Sequence, residues 1–195
     1  MSIWSGLLIA ALLSSLNAFF VAAEFSLVAV NRASIEAEAE NGYSHARRVR
    51  KLLQNLLVYL SGAQFGITLS ALSLGFVAEP TVAKILTGGD EHSGLSVFLA
   101  VIVATSLHLV IGEQIPKYLA LAAPRKITFL LAPFIQIYGK VFYPVVAFLN
   151  YCANRVVNKL GIEPKNELSA SHTLGELENL IATSGSGEVS SQSAL

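Results

Sequence analysis

The stretch Leu95–Lys117, LSVFLAVIVATSLHLVIGEQIPK, decides how this chain folds. Leu95 to Ile111 are seventeen residues without a formal charge, and then a glycine, a glutamate, a proline and a lysine fall within Gly112–Lys117, GEQIPK. Uncharged apolar runs of about 18 residues or more mark transmembrane helices. Gly94–Gly112 is one such run, and Met1–Ala23 and Leu52–Ala78 are two more. Of the 195 residues 53% are apolar and 13% charged, whereas a soluble domain usually has about a quarter charged. The sequence reads as an all-α integral membrane protein with three transmembrane helices.

Formal charges cancel, with 13 basic and 13 acidic residues, but their placement is informative. Short cytoplasmic loops are enriched in Lys and Arg. Arg32, Arg47, Arg48, Arg50 and Lys51 lie between the first two spans. Glu79–Ser93 holds Lys84 against Glu79, Asp90 and Glu91, while Lys117, Arg125 and Lys126 follow the third span. This pattern places the N-terminus outside and the C-terminus in the cytoplasm of a multi-pass inner or plasma membrane protein. No Lys or Arg precedes Arg32, so a cleaved signal peptide, which needs a basic start, is not expected. The single Cys152 reads as a structural thiol.

The next apolar region is shorter. Ile127–Gly139 has thirteen residues before Lys140, with Pro133 and Pro144 inside the wider stretch. A thirteen-residue helix is about 20 Å long, short of a hydrocarbon core of about 30 Å. Two short helices at the cytoplasmic interface are therefore expected, with Tyr138, Tyr143 and Tyr151 at headgroup level. Residues 1–160 form the transmembrane domain. Residues 161–195 begin an acidic cytoplasmic helical segment, in which Thr173 and Glu176 resemble a capping box for a helix over Leu174–Ala182.

Two carboxylates, Glu24 and Glu113, lie at membrane depth in this reading. An unpaired buried carboxylate costs several kcal/mol or more, so such groups are neutralised, paired or bound to a cation. One explanation is a pair of helix-end groups reaching the headgroups, or Glu113 neutralised by Lys117. The other is a cation site between helices. Asn17 and Glu24, seven apart, share a helical face. Ser26 is about 200° round from Glu24, so both address one ion only if the helix breaks near Ala22–Ala23. Gln64, Thr68, Ser70 and Ser73 add oxygens in the second span, where Gly62, Gly66 and Ser70 form a ladder of small residues suited to close packing. Pro116 has no amide to give Gly112, whose carbonyl is then free beside Glu113. Oxygen donors suit Mg²⁺, Ca²⁺ or Na⁺. His45, His92, His108 and His172 lie apart, so a zinc or copper site is not expected.

NAFFVAAEFSLVAVNR (Asn17–Arg32), QFGITLSALSLGFVAEP (Gln64–Pro80), LHLVIGEQIPKYLAL (Leu107–Leu121) and YGKVFYPVVAFLN (Tyr138–Asn150) resemble the transmembrane domain of the CorC/cyclin M magnesium transporters. The resemblance covers residues 1–182. It implies a homodimer in the lipid bilayer, three spans with a short helix pair on the cytoplasmic side, and Mg²⁺ export driven by Na⁺ entry. It also implies a metal site of Ser26, Ser70, the Gly112 carbonyl and Glu113, with Glu24 close by. The resemblance also implies CBS domains following this stretch in the full-length protein. No enzymatic activity and no nucleic-acid partner are expected. A rival reading is a membrane anchor or dimerisation domain of a cytosolic regulatory protein. A second is an intramembrane hydrolase using Ser96 and His108, for which no oxyanion motif is present.

Overall fold

A computed structural model describes residues 2–87 and 94–160. The expected helix over Leu174–Ala182, and the whole segment 161–195, lie outside the described residues. All regular structure among the described residues is helical. It comprises α1 (Ile3–Ala29), α2 (Arg32–Glu40), α3 (Ser44–Leu53), α4 (Leu56–Thr87), α5 (Gly94–His108), a π-helical segment (Leu109–Gln114), α6 (Ile115–Ala122) and α7 (Pro124–Lys159). The chain divides into two compact units, Met1–Phe148 and Leu149–Leu195. Of the second, the structure describes only the last turns of α7.

Four helical stretches among the described residues are long and apolar enough to cross a membrane: Ile3–Ala29, Leu56–Ile85, Val97–Ala122 and Pro124–Lys159. The first three are the expected spans. The fourth corrects the expectation of two short helices, because α7 is one helix of 36 residues with Pro133 and Pro144 inside it. Proline removes one backbone hydrogen bond, and an apolar helix tolerates that loss where neighbours or local adjustment compensate.

α1 runs antiparallel to α4. A Cβ on Gly6 would strike Thr81 near one end of the pair, Asn17 faces Ser70 in the middle, and Gly66 lies beneath the Phe20 ring further along. The ladder on α4 is used rung by rung. A Cβ on Gly66 would fall 2.6 Å from Phe20 ring carbons, and the Gly62 carbonyl accepts from the Tyr138 hydroxyl at 3.1 Å. Phe20, Tyr138 and Phe142 continue as an aromatic stack with centroids 4.7 and 4.6 Å apart.

At the end where α1 finishes, Phe20, Ala23, Leu27 and Val30 meet Ile35, Val49, Leu52, Leu56, Ala132 and Ile135 in one core. Helices α2 and α3 therefore belong to the bundle and do not hang from it. Asn31 caps α2 by accepting from the Ser34 amide at 2.9 Å. Gly42, at φ +89°, makes the left-handed turn into α3 that a side chain would disfavour.

Candidate functional site

The GEQIPK stretch does not break its helix. The backbone stays helical from His108 to Ile115, but Leu109–Gln114 is wound as a π-helix. The Ile115 amide accordingly bonds five residues back, to the carbonyl of Val110. Pro116 sits in the first turn of α6 directly after the π segment, and its missing amide leaves an upstream carbonyl to find a donor elsewhere. The π turn is how the third span absorbs a proline without a loop, and such bulges recur at functional sites.

The Gly112 carbonyl is taken up from across the bundle. Asn17 Nδ2 donates to it at 2.9 Å. Asn17 Oδ1 in turn accepts from the Ser70 hydroxyl at 3.0 Å. One amide side chain thus joins α1, α4 and the π segment, with Asn17 and Ser70 each 1% exposed. The Ser70 hydroxyl also lies within bonding distance of its own helix, 2.7 Å from the Gly66 carbonyl and 3.1 Å from that of Ile67. Gly112 is required by space: a Cβ there would lie 2.7 Å from His108 Nδ1 and 3.6 Å from Asn17 Nδ2. His108 Nδ1 is buried with no hydrogen-bond partner.

The expected site residues divide into two groups. Ser70 and the Gly112 carbonyl are brought together through Asn17, and Glu113, half-buried, adjoins them in sequence. Ser26 is fully buried, and its hydroxyl donates within α1 to the Ala23 carbonyl at 3.2 Å. Because α1 is unbroken from Ile3 to Ala29, Ser26 and the half-buried Glu24 leave it about 200° apart. Gln64 and Thr68 are exposed, with the Thr68 hydroxyl bonded to the Gln64 carbonyl at 2.9 Å, and they take no part in the junction. Among the described residues no three His, Cys, Asp or Glu gather as a metal cluster. An oxygen set of hydroxyls, carbonyls and one or two carboxylates would not form such a group.

The sequence reading places Asn17 only on a helical face with Glu24 and leaves it out of the ligand set. It is the lone amide in a 27-residue apolar helix, and that isolation was the available signal. Lys117 does not neutralise Glu113: its Nζ lies 4.7 Å over the Phe25 ring. Basic side chains pair with carboxylates elsewhere, Arg50 with Glu36 at 3.0 Å and Arg125 with Glu38 at 2.9 Å. The two hydrogen bonds from Arg125 hold the Glu38 carboxyl below its ordinary range. The hydrolase reading depends on Ser96, whose side chain lies outside the described residues, while His108 is committed against Gly112.

A family model, the cyclin M transmembrane N-terminal domain, matches residues 7–193. The chain belongs to this family. It is similar to the protein Rv1841c of Mycobacterium tuberculosis, 40% identical over 190 residues that make up 94% of this chain and 54% of that protein. UPF0053 protein YrkA of Bacillus subtilis is 36% identical over 192 residues, 94% of this chain and 44% of YrkA. UPF0053 protein YhdT of the same organism is 34% identical over 186 residues, 91% of this chain and 40% of YhdT. The chain therefore spans about half the length, or less, of these curated relatives.

Proposed function

We propose that this cyclin M domain carries Mg²⁺ across the membrane, as an exporter driven by Na⁺ entry, through a dehydrated site at the Asn17–Ser70–Gly112 junction. One observation carries the reading. Three helices meet at buried oxygens beside Glu113, and the Lys117 ammonium one turn on lies over the Phe25 ring and not on that carboxylate. A divalent cation is the charge such a place accepts, since a buried carboxylate without a partner is otherwise costly. Glu113, the Gly112 carbonyl and the Ser70 hydroxyl supply oxygens from two spans, and Asn17 holds them in register. Ser26 and Glu24 join the site through a movement of α1. Mg²⁺ prefers about six oxygens at 2.0–2.1 Å, so close helices and small residues favour it over Ca²⁺.

The same reading keeps three spans, with α7 lying along the cytoplasmic face of a homodimer. Lys140 is fifteen residues beyond Arg125 and exposed, about 22 Å along the helix. Were α7 to cross the bilayer with Arg125 at one face, that ammonium would sit deep in hydrocarbon. Cys152, the chain's single thiol, should then be labelled from the same side as a cysteine placed at Ser44. Labelling from opposite faces makes α7 a fourth span.

The functional test is Mg²⁺ flux from proteoliposomes holding the purified chain, with and without an inward Na⁺ gradient. Flux that rises with the gradient supports coupled export. Mg²⁺ flux insensitive to Na⁺ removes the coupling. No flux and no Mg²⁺ binding would leave the anchor reading in its place.

A further inference from the structure

A cavity of about 430 Å³ adjoins the junction, lined by α1, α4 and the third span. Its position follows from the helix register. On α1 it is lined by Ser14, one turn before Asn17; on α4 by Leu74, one turn after Ser70; on the third span by His108, one turn before Gly112. All three steps lead to the same side, toward the start of α1 and the end of α4, where Leu7 and Thr81 complete the wall. By the loop charges this is the external side.

We propose that this cavity is a water-filled vestibule through which a hydrated divalent cation passes between the junction and the outside. The proposal rests on the transport reading above and adds the path and the lining residues. Three features support water over a lipid chain as the occupant. First, the Ser15 hydroxyl donates to the Ala11 carbonyl at 2.8 Å and the Thr81 hydroxyl to the Val77 carbonyl at 2.6 Å. Each proton is thereby spent within its own helix, and each oxygen keeps lone pairs for water or a cation. Second, water occupies about 30 Å³ per molecule, so the volume holds on the order of ten, more than the six of a hydrated Mg²⁺. Third, the cavity ends on a polar floor: the His108 ring stands between it and Gly112, whose carbonyl Asn17 engages.

The rest of the lining, Leu74 and Ile111 included, is apolar. That suits a passage. A path must admit the ion yet bind it weakly enough to release it, and neutral hydroxyls among leucines meet that requirement where a ring of carboxylates would not. His108 is then a positioning residue. It closes the vestibule floor beside Gly112, so ion transfer requires its ring to move.

The test starts from the Cys152→Ser chain, which has no other cysteine. Single cysteines are placed at Ser14, and at Thr81 on the facing helix in case the first variant folds poorly. Leu12→Cys is the control, because Leu12 is 62% exposed on the outer surface of α1. Each is reconstituted and treated from outside with a cationic, membrane-impermeant thiosulfonate. Only a thiol in contact with water forms the reactive thiolate, so Ser14→Cys should react at least about tenfold faster than Leu12→Cys. Modification should also block Mg²⁺ flux while leaving calorimetric Mg²⁺ affinity unchanged, since the lining is path and not site.

Equal rates at Ser14→Cys and Leu12→Cys mean a dry or lipid-filled cavity and overturn the proposal. Fast modification with undiminished flux overturns it as the ion's route. If the unmodified Cys152→Ser chain carries no Mg²⁺ at all, the transport reading itself fails, and the labelling rates alone decide whether the cavity holds water.

Discussion

Glu38 and Glu113 are both acidic residues on helices of one small bundle, and the protein treats them in opposite ways. Glu38, on α2, receives hydrogen bonds from Arg125 at 3.0 and 2.9 Å, and Glu36 beside it receives one from Arg50 at 3.0 Å. Glu113 has Lys117 one turn away, yet that ammonium lies over Phe25 at 4.7 Å. On α2, outside the long apolar helices, the carboxylates are paired. At Glu113, half-buried in an apolar helix, the nearby ammonium lies on a ring and not on the carboxylate. An exposed pair contributes little to stability, so the α2–α3 end uses its charges to orient helices. An unpaired charge at membrane depth is costly to keep, and that contrast is why Glu113 is the carboxylate proposed to hold the ion.

Removing the charge from that place is the strongest way to break the contrast. Glu113→Gln should weaken Mg²⁺ binding by at least about a hundredfold, near 2.7 kcal/mol, measured by calorimetric titration of the reconstituted or detergent-solubilised chain. The fold should melt no lower than wild type, because the neutral amide relieves a half-buried charge in an apolar helix. Wild-type Mg²⁺ affinity in this variant would end the site hypothesis. Lys117→Met should leave affinity nearly intact, since its ammonium partner is a ring.

Space at the junction comes next. Gly112→Ala places a methyl carbon 2.7 Å from His108 Nδ1, and overpacking of this kind costs about 1–3 kcal/mol. The thermal midpoint should fall, and Mg²⁺ affinity should fall with it. An unchanged midpoint would show that the His108 ring moves aside freely.

Asn17→Ala should follow closely. It leaves the Gly112 carbonyl without its donor and the Ser70 hydroxyl without the α1 acceptor, at about 1–3 kcal/mol for a buried unsatisfied group. Ser70→Ala should cost less, about 1 kcal/mol, because its loss leaves Asn17 still bonded to Gly112. If Ser70→Ala proves the worse of the two, the hydroxyl and not the amide organises the junction.

The smallest effect belongs to the paired end. Arg125 lowers the folded-state pKa of Glu38 below its ordinary value of 4.5. The pair therefore adds stability above the unfolded carboxylate pKa, and that stability is lost as pH falls through the lower folded value. Melting followed from pH 7 down to pH 3 should show a slightly shallower acid decline in Glu38→Gln than in wild type. Identical slopes would mean the pair is open in solution.

Much of the architecture was legible because it depends on neighbours in sequence. Long uncharged runs announced three of the four long apolar helices among the described residues, while the expectation of a cytoplasmic connection at Arg47, Arg48, Arg50 and Lys51 rests on loop charge alone. Pro116 marked the place where the third helix must depart from regular α-winding, since a missing amide is a local fact. The kind of departure was not legible. A loop, a kink and a π turn all satisfy a proline, and packing against α1 selects among them. α7 was misjudged for a related reason: Pro133, Lys140 and Pro144 each argue for a stop, but helix continuity is decided by the whole surface that Thr128, Ala132, Ile135 and Val146 bury.

What the sequence determined by itself is therefore the solvent each segment prefers and the residues that are costly in it. Membrane residence and a helix irregularity at Gly112 follow from residue type and from spacing within one or two turns. Tertiary structure alone decided which oxygens meet. The bond from Asn17 to Gly112 spans 95 positions and that from Ser70 to Asn17 spans 53. No periodicity carries such distances. They are set by how small residues let three helices approach, and by the need of every buried polar group in a low-dielectric interior to find a partner there.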